Sequence, residues 1–457
     1  MLSNRGPLSF AQGPDGDLQV RRGAGGLVVT LGPGVQRDGA LWIGSALSDA
    51  DRQAAASGII DAEGFHLRSL VIEPADYQAY YDVIANGTLW YCVHGLWDLP
   101  RRPRFDRHWH QAWTAYRRVN AQFADMTAAV AEEGATVLVQ DYQLALVPQM
   151  LAERRPDLRT VVFLHTPWCA PAELEVLPTA VARELLSGLA GAGACGFHSR
   201  RWAQAFEACC QAVLGWTPPS FVSPASTDAD DLRAVANSPE CQSTFDELCS
   251  EVGDRRLIVR VDRIELSKNV LRGFSAFDEM LEGRRDLRGQ VTFGAFVYPS
   301  RQGLADYLAY GQEVVTMARL LNEKWGRDGW TPILLDSDDN YARSVAALRR
   351  ADVFLVNPVR DGLNLVAGEG ALVNERDATL ILSTRAGSFD TLGDHALGIN
   401  PFDVSATASA LGAALDLPAA ERAARAANLR ATVLGRNPLD WWDDLVSEAR
   451  SPGATAT

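Results

Sequence analysis

The sequence predicts an α/β protein built from parallel sheets in two successive halves. Three observations carry this. Short apolar runs alternate with longer stretches of helical period along most of the chain. Runs apolar on both faces and separated by helices read as parallel strands, because crossover helices cover both faces of such a sheet. Finally, 457 residues suffice for two or three domains, and a segment rich in Pro, Ser, Thr and Asp (Gly215–Asp231) separates one α/β series from the next. A boundary near Pro224 gives two α/β halves of about 225 residues each.

In chain order, strands are expected at Ala40–Gly44, His66–Ile72, Thr136–Gln140, Thr160–Leu164, Leu257–Val261, Gln290–Phe296, Val353–Asn357 and Thr379–Leu382. Amphipathic helices are expected at Trp109–Glu133, Arg201–Leu214, Arg272–Glu282, Leu304–Trp325 and Ala342–Arg350. Ala419–Arg430, rich in Ala and Arg, reads as a surface helix, and Ser451–Thr457 as a frayed tail.

Composition narrows the function. The apolar fraction of 47% is that of a globular protein. A formal charge of −14 argues against nucleic-acid or anionic-membrane partners, so a phosphorylated substrate would need a local cluster of cations. No run of 18 apolar residues exists and the N-terminus lacks an apolar signal core, so a cytoplasmic protein is expected. The 7 cysteines include no C-x-x-C pair and read as free core thiols. Only Lys268 and Lys324 are lysines among 43 basic residues, which reads either as a compact ammonium wanted in the loop holding Lys268 or as chance or codon bias.

Ligands of open parallel sheets sit beyond the carboxyl ends of the strands. The residues there are Asp141-Tyr142, His165-Thr166-Pro167, Asp262-Arg263 with Glu265-Leu266-Ser267-Lys268, and Arg360-Asp361-Gly362. Arg263 and Lys268, five residues apart in a strand-to-helix loop, suit a clamp on one diphosphate. Asp361 and Glu369 suit sugar and ribose hydroxyls, with Leu363-Asn364-Leu365 supplying N–H groups at a helix start. The plainer alternatives are a solvated loop and a simple N-cap. Gly23-Ala24-Gly25-Gly26 allows close backbone approach to a phosphate, or is only a turn. Arg5 and Arg301, each taken alone, read as surface, and Tyr80, Tyr81 and Trp90 as core at a helix-to-loop transition.

Taken together, Ser3-Asn4-Arg5, Gly25-Gly26-Leu27, Tyr81…Trp90, Asp141-Tyr142, His165-Thr166-Pro167, Arg263…Ser267-Lys268, Ser300-Arg301, Gly329-Trp330-Thr331-Pro332, Asp361-Gly362-Leu363-Asn364-Leu365-Val366-Ala367 and Asn400-Pro401-Phe402-Asp403 follow a known order. In that order, from about residue 3 to about residue 445, the chain resembles the actinobacterial-type trehalose-6-phosphate synthases, retaining glycosyltransferases of family 20. The resemblance implies a GT-B fold, two Rossmann-like domains (residues 1–224, acceptor-binding, and 225–435, nucleotide-sugar-binding) facing a central cleft, with a helix over 436–450, around Trp441-Trp442, returning to the first domain. It implies donor contacts from Gly26, Arg263, Lys268, Asp361, Leu363, Asn364, Leu365 and Glu369. It implies acceptor contacts from Arg5, Tyr81, Trp90, Asp141 and Arg301, and a catalytic group of Asp141, His165, Arg263, Lys268 and Asp361. UDP-glucose or GDP-glucose would be the donor, glucose 6-phosphate the acceptor, and a separate trehalose-phosphate phosphatase would act on the product. No cofactor and no metal is strictly required on this reading, and self-association into a homo-oligomer stays open.

Without a glycosidase-type carboxylate pair, the expected chemistry is front-face substitution at the anomeric carbon. Several positions depart from the family pattern. The usual strand before Ser3 is missing, so either the gene start is called late or the sheet loses an inner strand, which would put Arg5 on a frayed end; Ser45 replaces a tryptophan of a well-studied bacterial member, Gln143 a histidine, and Gly368 a lysine; and Val222–Ser226 lacks the usual hinge glycines. Three functions therefore compete: trehalose-6-phosphate synthesis, the same fold with another acceptor (a glucosylglycerol-phosphate synthase or validamycin-type pseudo-glycosyltransferase), and a non-catalytic sugar-phosphate-binding regulator.

Overall fold

The computed structural model describes residues 1–13, 17–23 and 26–451. Ala24 and Gly25 of the glycine run, and the tail beyond Ser451, lie outside the described residues. The chain divides into two compact units: Met1–Ala225 together with the segment that starts at Pro438, and Ser226–Asn437.

Unit 1 contains strands β1 (Leu2–Arg5), β2 (Leu8–Gln12), β3 (Leu18–Arg22), β4 (Leu41–Ser45), β5 (Ile59–Ala62), β6 (Phe65–Leu70), β7 (Thr136–Gln140), β8 (Arg159–Leu164), β9 (Ala194–Phe197) and β10 (Ser220–Val222). Eight of them form one sheet in the order β10-β9-β8-β7-β1-β4-β6-β5, parallel except for β5 at the edge. The antiparallel pair β2–β3 stands apart from it.

The expectation of a missing first strand is corrected here. β1 occupies the middle of the sheet, with Leu2 opposite Ile43 on one side and Val139 on the other. The Met1 ammonium donates to the Leu41 carbonyl at 2.6 Å. Four residues suffice because both neighbouring strands already offer paired backbone and a buried apolar face. Arg5 therefore ends a paired strand, opposite Ser45, rather than fraying.

The helix Pro438–Arg450 buries Trp441, Trp442 and Leu445 in the core of unit 1. The Trp441 indole donates to the Ser223 carbonyl at 3.1 Å and that of Trp442 to Asp38 at 2.8 Å, while Arg37 pairs with Asp443. Gly34 makes this docking feasible: a Cβ there would come within 2.3 Å of the Trp442 ring.

Unit 2 contains β11 (Arg256–Ile264), β12 (Val291–Pro299), β13 (Ile333–Asp336), β14 (Val353–Val356), β15 (Thr379–Ser383) and β16 (Leu397–Ile399). The sheet is wholly parallel in the order β13-β12-β11-β14-β15-β16, a doubly wound arrangement whose order reverses between β11 and β14. An apolar core covers each face of this sheet. β11 runs three residues past its expected end and pairs with β12 as far as Pro299, so Asp262 and Arg263 lie on a strand and not in a loop.

The helices sit within a few residues of expectation: Arg107–Val130, Arg200–Leu214, Val270–Gly283, Ala305–Trp325 and Tyr341–Arg350. The surface helix extends to Leu434 and buries only Ala426 and Leu429. Tyr81 and Trp90 do not mark a helix-to-loop transition. Residues Ala79–Leu89 are π-helical and run directly into the α-helix Trp90–His94. All seven cysteines are free thiols, and all but the half-buried Cys249 are buried. Among the described residues no helix is long and apolar enough to cross a membrane.

Candidate active site

In unit 2 the strand-order reversal brings the ends of β11 and β14 side by side, and charged residues gather there. The Lys268 ammonium, in a short 3-10 turn after β11, lies 2.6 Å from Asp361 Oδ2 and 3.8 Å from Asp262 Oδ1. Burial opposes its charge, but Asp361 and Asp262 outweigh burial and raise its pKa above the ordinary lysine value. Asp262 is in turn held by the fully buried Arg260 at 2.7 Å, and burial pushes its own carboxyl up.

Glu265 organises the other side. Its Oε1 lies 3.1 Å from Arg263 and 3.4 Å from Arg301, and accepts from the Ser300 hydroxyl at 3.0 Å. Burial works against its charge, yet Arg263, Arg301 and Lys268 overcome burial and bring its pKa to about 2. Four cations (Arg260, Arg263, Lys268, Arg301) thus stand against three carboxylates (Asp262, Glu265, Asp361). A chain of net charge −14 therefore keeps a local positive excess where an anion would dock. Arg263 keeps 40% of its side-chain surface exposed, leaving guanidinium hydrogens available to a ligand.

The Asp361 turn is built for close approach. The Asp361 carbonyl accepts from Gly387 N–H at 3.1 Å, and a Cβ on Gly387 would fall 1.9 Å from the Gly362 carbonyl oxygen. Asn364 holds a left-handed backbone, φ 81°, and donates to Asp361 Oδ2 at 3.2 Å. Leu363 accepts from Ser388 N–H, and Leu365 caps the helix Val366–Val373, whose first turn carries Glu369. Burial raises the Glu369 carboxyl to about 7.

In unit 1 the strand order reverses between β7 and β1. Asp141 follows β7 with φ 69°, an unusual backbone for a non-glycine residue and a frequent mark of functional positions. Its Oδ1 accepts from the backbone N–H groups of Tyr142 (3.1 Å) and His165 (3.2 Å). Arg5 ends β1 and is exposed; Asn4 beside it donates to the Tyr77 hydroxyl at 3.0 Å, and Tyr77 stacks on Tyr81 with centroids 5.4 Å apart. Trp90 stacks on His94 at 3.9 Å and lies 6.0 Å from Tyr142. Gly26 opens the helix Gly26–Asp38. His165 sits 2.9 Å from Gln140 and 3.2 Å from His198, and burial lowers its pKa to about 3, so the ring is neutral at pH 7.

Arg5, Tyr81, Trp90, Asp141 and His165 thus belong to unit 1, and Arg263, Lys268, Asp361, Asn364, Glu369 and Arg301 to unit 2. Arg301, expected with the acceptor group, shares Glu265 with Arg263. Sequence reasoning missed the roles of Glu265, Arg260 and His198. Glu265 was detectable, since residues 263 and 265 share one side of an extended chain. His198 follows β9, which at four residues shows no legible period.

Two α/β units, each with polar groups at the carboxyl edge where strand order reverses and one of them cationic, are the arrangement of Rossmann-like domains that bind phosphorylated ligands at the switch point. The comparison with known proteins is more specific. A family model, glycosyltransferase family 20, matches residues 1–451. The chain is 33% identical to the trehalose-6-phosphate synthase of Mycolicibacterium vanbaalenii over 97% of this chain and 93% of that one. It superposes with TM-score 0.85 and 26% identity on an E. coli structure bound with UDP-2-fluoro glucose, covering 95% of this chain and 97% of that one. A Burkholderia xenovorans alpha,alpha-trehalose-phosphate synthase (UDP-forming) in complex with glucose-6-phosphate gives TM-score 0.84 and 27% identity, covering 94% and 97%. The protein belongs to glycosyltransferase family 20.

Proposed function

We propose that the chain transfers glucose, with retention, from UDP-glucose or GDP-glucose to glucose 6-phosphate, giving α,α-trehalose 6-phosphate. The observation that carries this is the Arg263–Glu265 and Lys268–Asp361 arrangement at the β11/β14 switch point. The relatives' names and the bound UDP-2-fluoro glucose and glucose-6-phosphate of the two solved structures support the choice of substrates.

In this reading Arg263 and Lys268 take the diphosphate, Asp361 and His165 the donor glucose, and Glu369 the ribose. Gly26, Leu363, Asn364 and Leu365 bring backbone close to the donor. Arg5, Tyr81, Trp90, Asp141 and Arg301 serve the acceptor and its 6-phosphate. The bond from the anomeric carbon to the diphosphate oxygen breaks, and the bond to the acceptor O1 forms on the same face. The acceptor's hydroxyl proton passes to the departing diphosphate oxygen, so the arginine–lysine pair stabilises the charge developing there. The reaction calls for no metal ion or other cofactor. We assign it to the cytoplasm, with a separate phosphatase consuming the product.

One observation favours a second acceptor. Ser45 Oγ, paired in register with Arg5, is buried without a hydrogen-bond partner, so the acceptor side differs from a pocket walled by tryptophan. A coupled nucleotide-release assay tests both readings, using UDP-glucose and GDP-glucose with and without glucose 6-phosphate and identifying the product by mass. Acceptor-dependent release of a non-reducing disaccharide phosphate is expected. Release only with another acceptor overturns the first reading in favour of the second.

A further inference from the structure

Four neighbouring strands of unit 1, β7, β8, β9 and β10, end in residues joined by an unbroken hydrogen-bond chain along the carboxyl edge of the sheet. Gln140 closes β7, His165 follows β8, His198 follows β9, and Ala225 lies just past β10. Ala225 N is 3.2 Å from His198 Nδ1, His198 Nε2 is 3.2 Å from His165 Nδ1, and His165 Nε2 is 2.9 Å from Gln140 Oε1.

We propose that His198 is a positioning residue: it fixes the tautomer of His165 through a one-way chain that begins at the Ala225 amide and ends at the Gln140 side chain. The direction follows from the only donor in the chain that cannot change. A backbone N–H always donates, so His198 Nδ1 must accept and its proton sits on Nε2. That proton points at His165, so His165 Nδ1 also accepts and its proton sits on Nε2, facing the Gln140 oxygen. Each ring spends its single donor and single acceptor within the chain, which requires both to be neutral. Burial lowers the pKa of His165, and burial together with His165 lowers that of His198, in keeping with this.

The competing direction has one source. The Ser223 backbone also faces the His198 ring, and a proton on Nδ1 could go to its carbonyl. That carbonyl accepts from the Trp441 indole at 3.1 Å and keeps a second lone pair, but reversing the chain would strip the Ala225 N–H of its acceptor. Trp441 also packs against both imidazoles, with centroids 5.7 Å from His165 and 6.1 Å from His198, limiting ring rotation.

The catalytic consequence rests on the proposed contact of His165 with the donor sugar. A locked Nε2–H tautomer presents a defined donor edge instead of a mixture of two. Losing His198 would cost orientation, and misplacement of a reacting group by about 1 Å can cost up to about a hundredfold in rate.

The test uses 15N-resolved imidazole spectra of the full chain, with kinetics on His198→Leu and His198→Gln. A carboxamide spaces an acceptor and a donor much as the two ring nitrogens do, so glutamine can rebuild the chain where leucine cannot. Both rings are expected as Nε2–H tautomers. His198→Leu should mix the tautomers of His165 and lower kcat, and His198→Gln should restore both. A wild-type His165 protonated at Nδ1, or a His165 signal unchanged in His198→Leu, overturns the proposal. If the leucine variant does not fold, the wild-type spectrum and the glutamine variant decide it. Expected spectra combined with full activity of His165→Ala would uphold the chain and remove only the sugar contact.

Discussion

The two strand-order reversals solve different problems with different physics. At the end of β11 and β14, unit 2 gathers four cations and three carboxylates, several of them buried, and balances them against one another. At the ends of β7 to β10, unit 1 has the single carboxylate of Asp141 and otherwise uses neutral imidazoles, the Gln140 carboxamide, aromatic faces and backbone amides. A site for a highly charged leaving group needs cations held ready, and ion pairs keep them desolvated without leaving them uncompensated. On the proposed function, the sugar hydroxyls met at the ends of β7 to β10 are neutral and need direction more than charge, which tautomers and stacked rings supply.

The largest effect that sharpens this contrast is one of stability in unit 1. Trp441→Ala removes a fully buried indole and its bond to Ser223, and should destabilise the protein by about 3–5 kcal/mol in urea unfolding. A loss below about 1 kcal/mol would mean that the Pro438–Arg450 helix does not anchor this core.

In unit 2 the effect should fall on rate. Arg263→Ala leaves Glu265 with Arg301 and Ser300, so folding should survive, while roughly 3–4 kcal/mol of transition-state stabilisation disappears from kcat/KM. An activity loss under about tenfold would remove Arg263 from the diphosphate clamp.

Glu265→Gln probes whether one carboxylate orients both arginines. Removing the charge should cost about 1.5–3 kcal/mol in kcat/KM, and it should raise the KM of the nucleotide sugar and of the phosphorylated acceptor together. A change confined to one substrate would break the coupling between Arg263 and Arg301.

The smallest effect is one of pH. Burial raises the Glu369 carboxyl from 4.5 to about 7, so its charged form is disfavoured in the folded chain and the associated folding penalty grows as pH rises between those values. On the proposed function the ionised form accepts from the ribose hydroxyls, so donor binding should weaken as pH falls through about 7. Between pH 7.5 and 6.5 the ionised fraction drops about threefold, and the donor KM should rise by a similar factor. Glu369→Gln should flatten that slope; an unchanged slope would place the titrating group elsewhere.

Much of this site was legible before any coordinates. Asp141, His165, Lys268 and Asp361 all follow apolar runs, and ligand-facing residues of parallel sheets must come from strand ends, so a one-dimensional pattern points to them directly. Arg263 was expected in a loop and lies instead on a strand, because β11 continues through polar residues that pair with β12. β1, β9 and β10, at three or four residues, are too short to carry a period, and sheet neighbours alone make them strands.

The sequence by itself determined the two α/β halves, the strand ends at which chemistry is placed, and the cation types required to hold a phosphate in an acidic chain. Those are local properties: periodicity, turn chemistry and charge can be read along the chain. Tertiary structure alone decided that Glu265 joins Arg263 to Arg301, that Lys268 rests on Asp361, 93 residues away, and that the Ala225 amide sets the proton on His165. Each depends on which strands become neighbours, and strand order is settled by packing over long sequence separations, where no local pattern reaches.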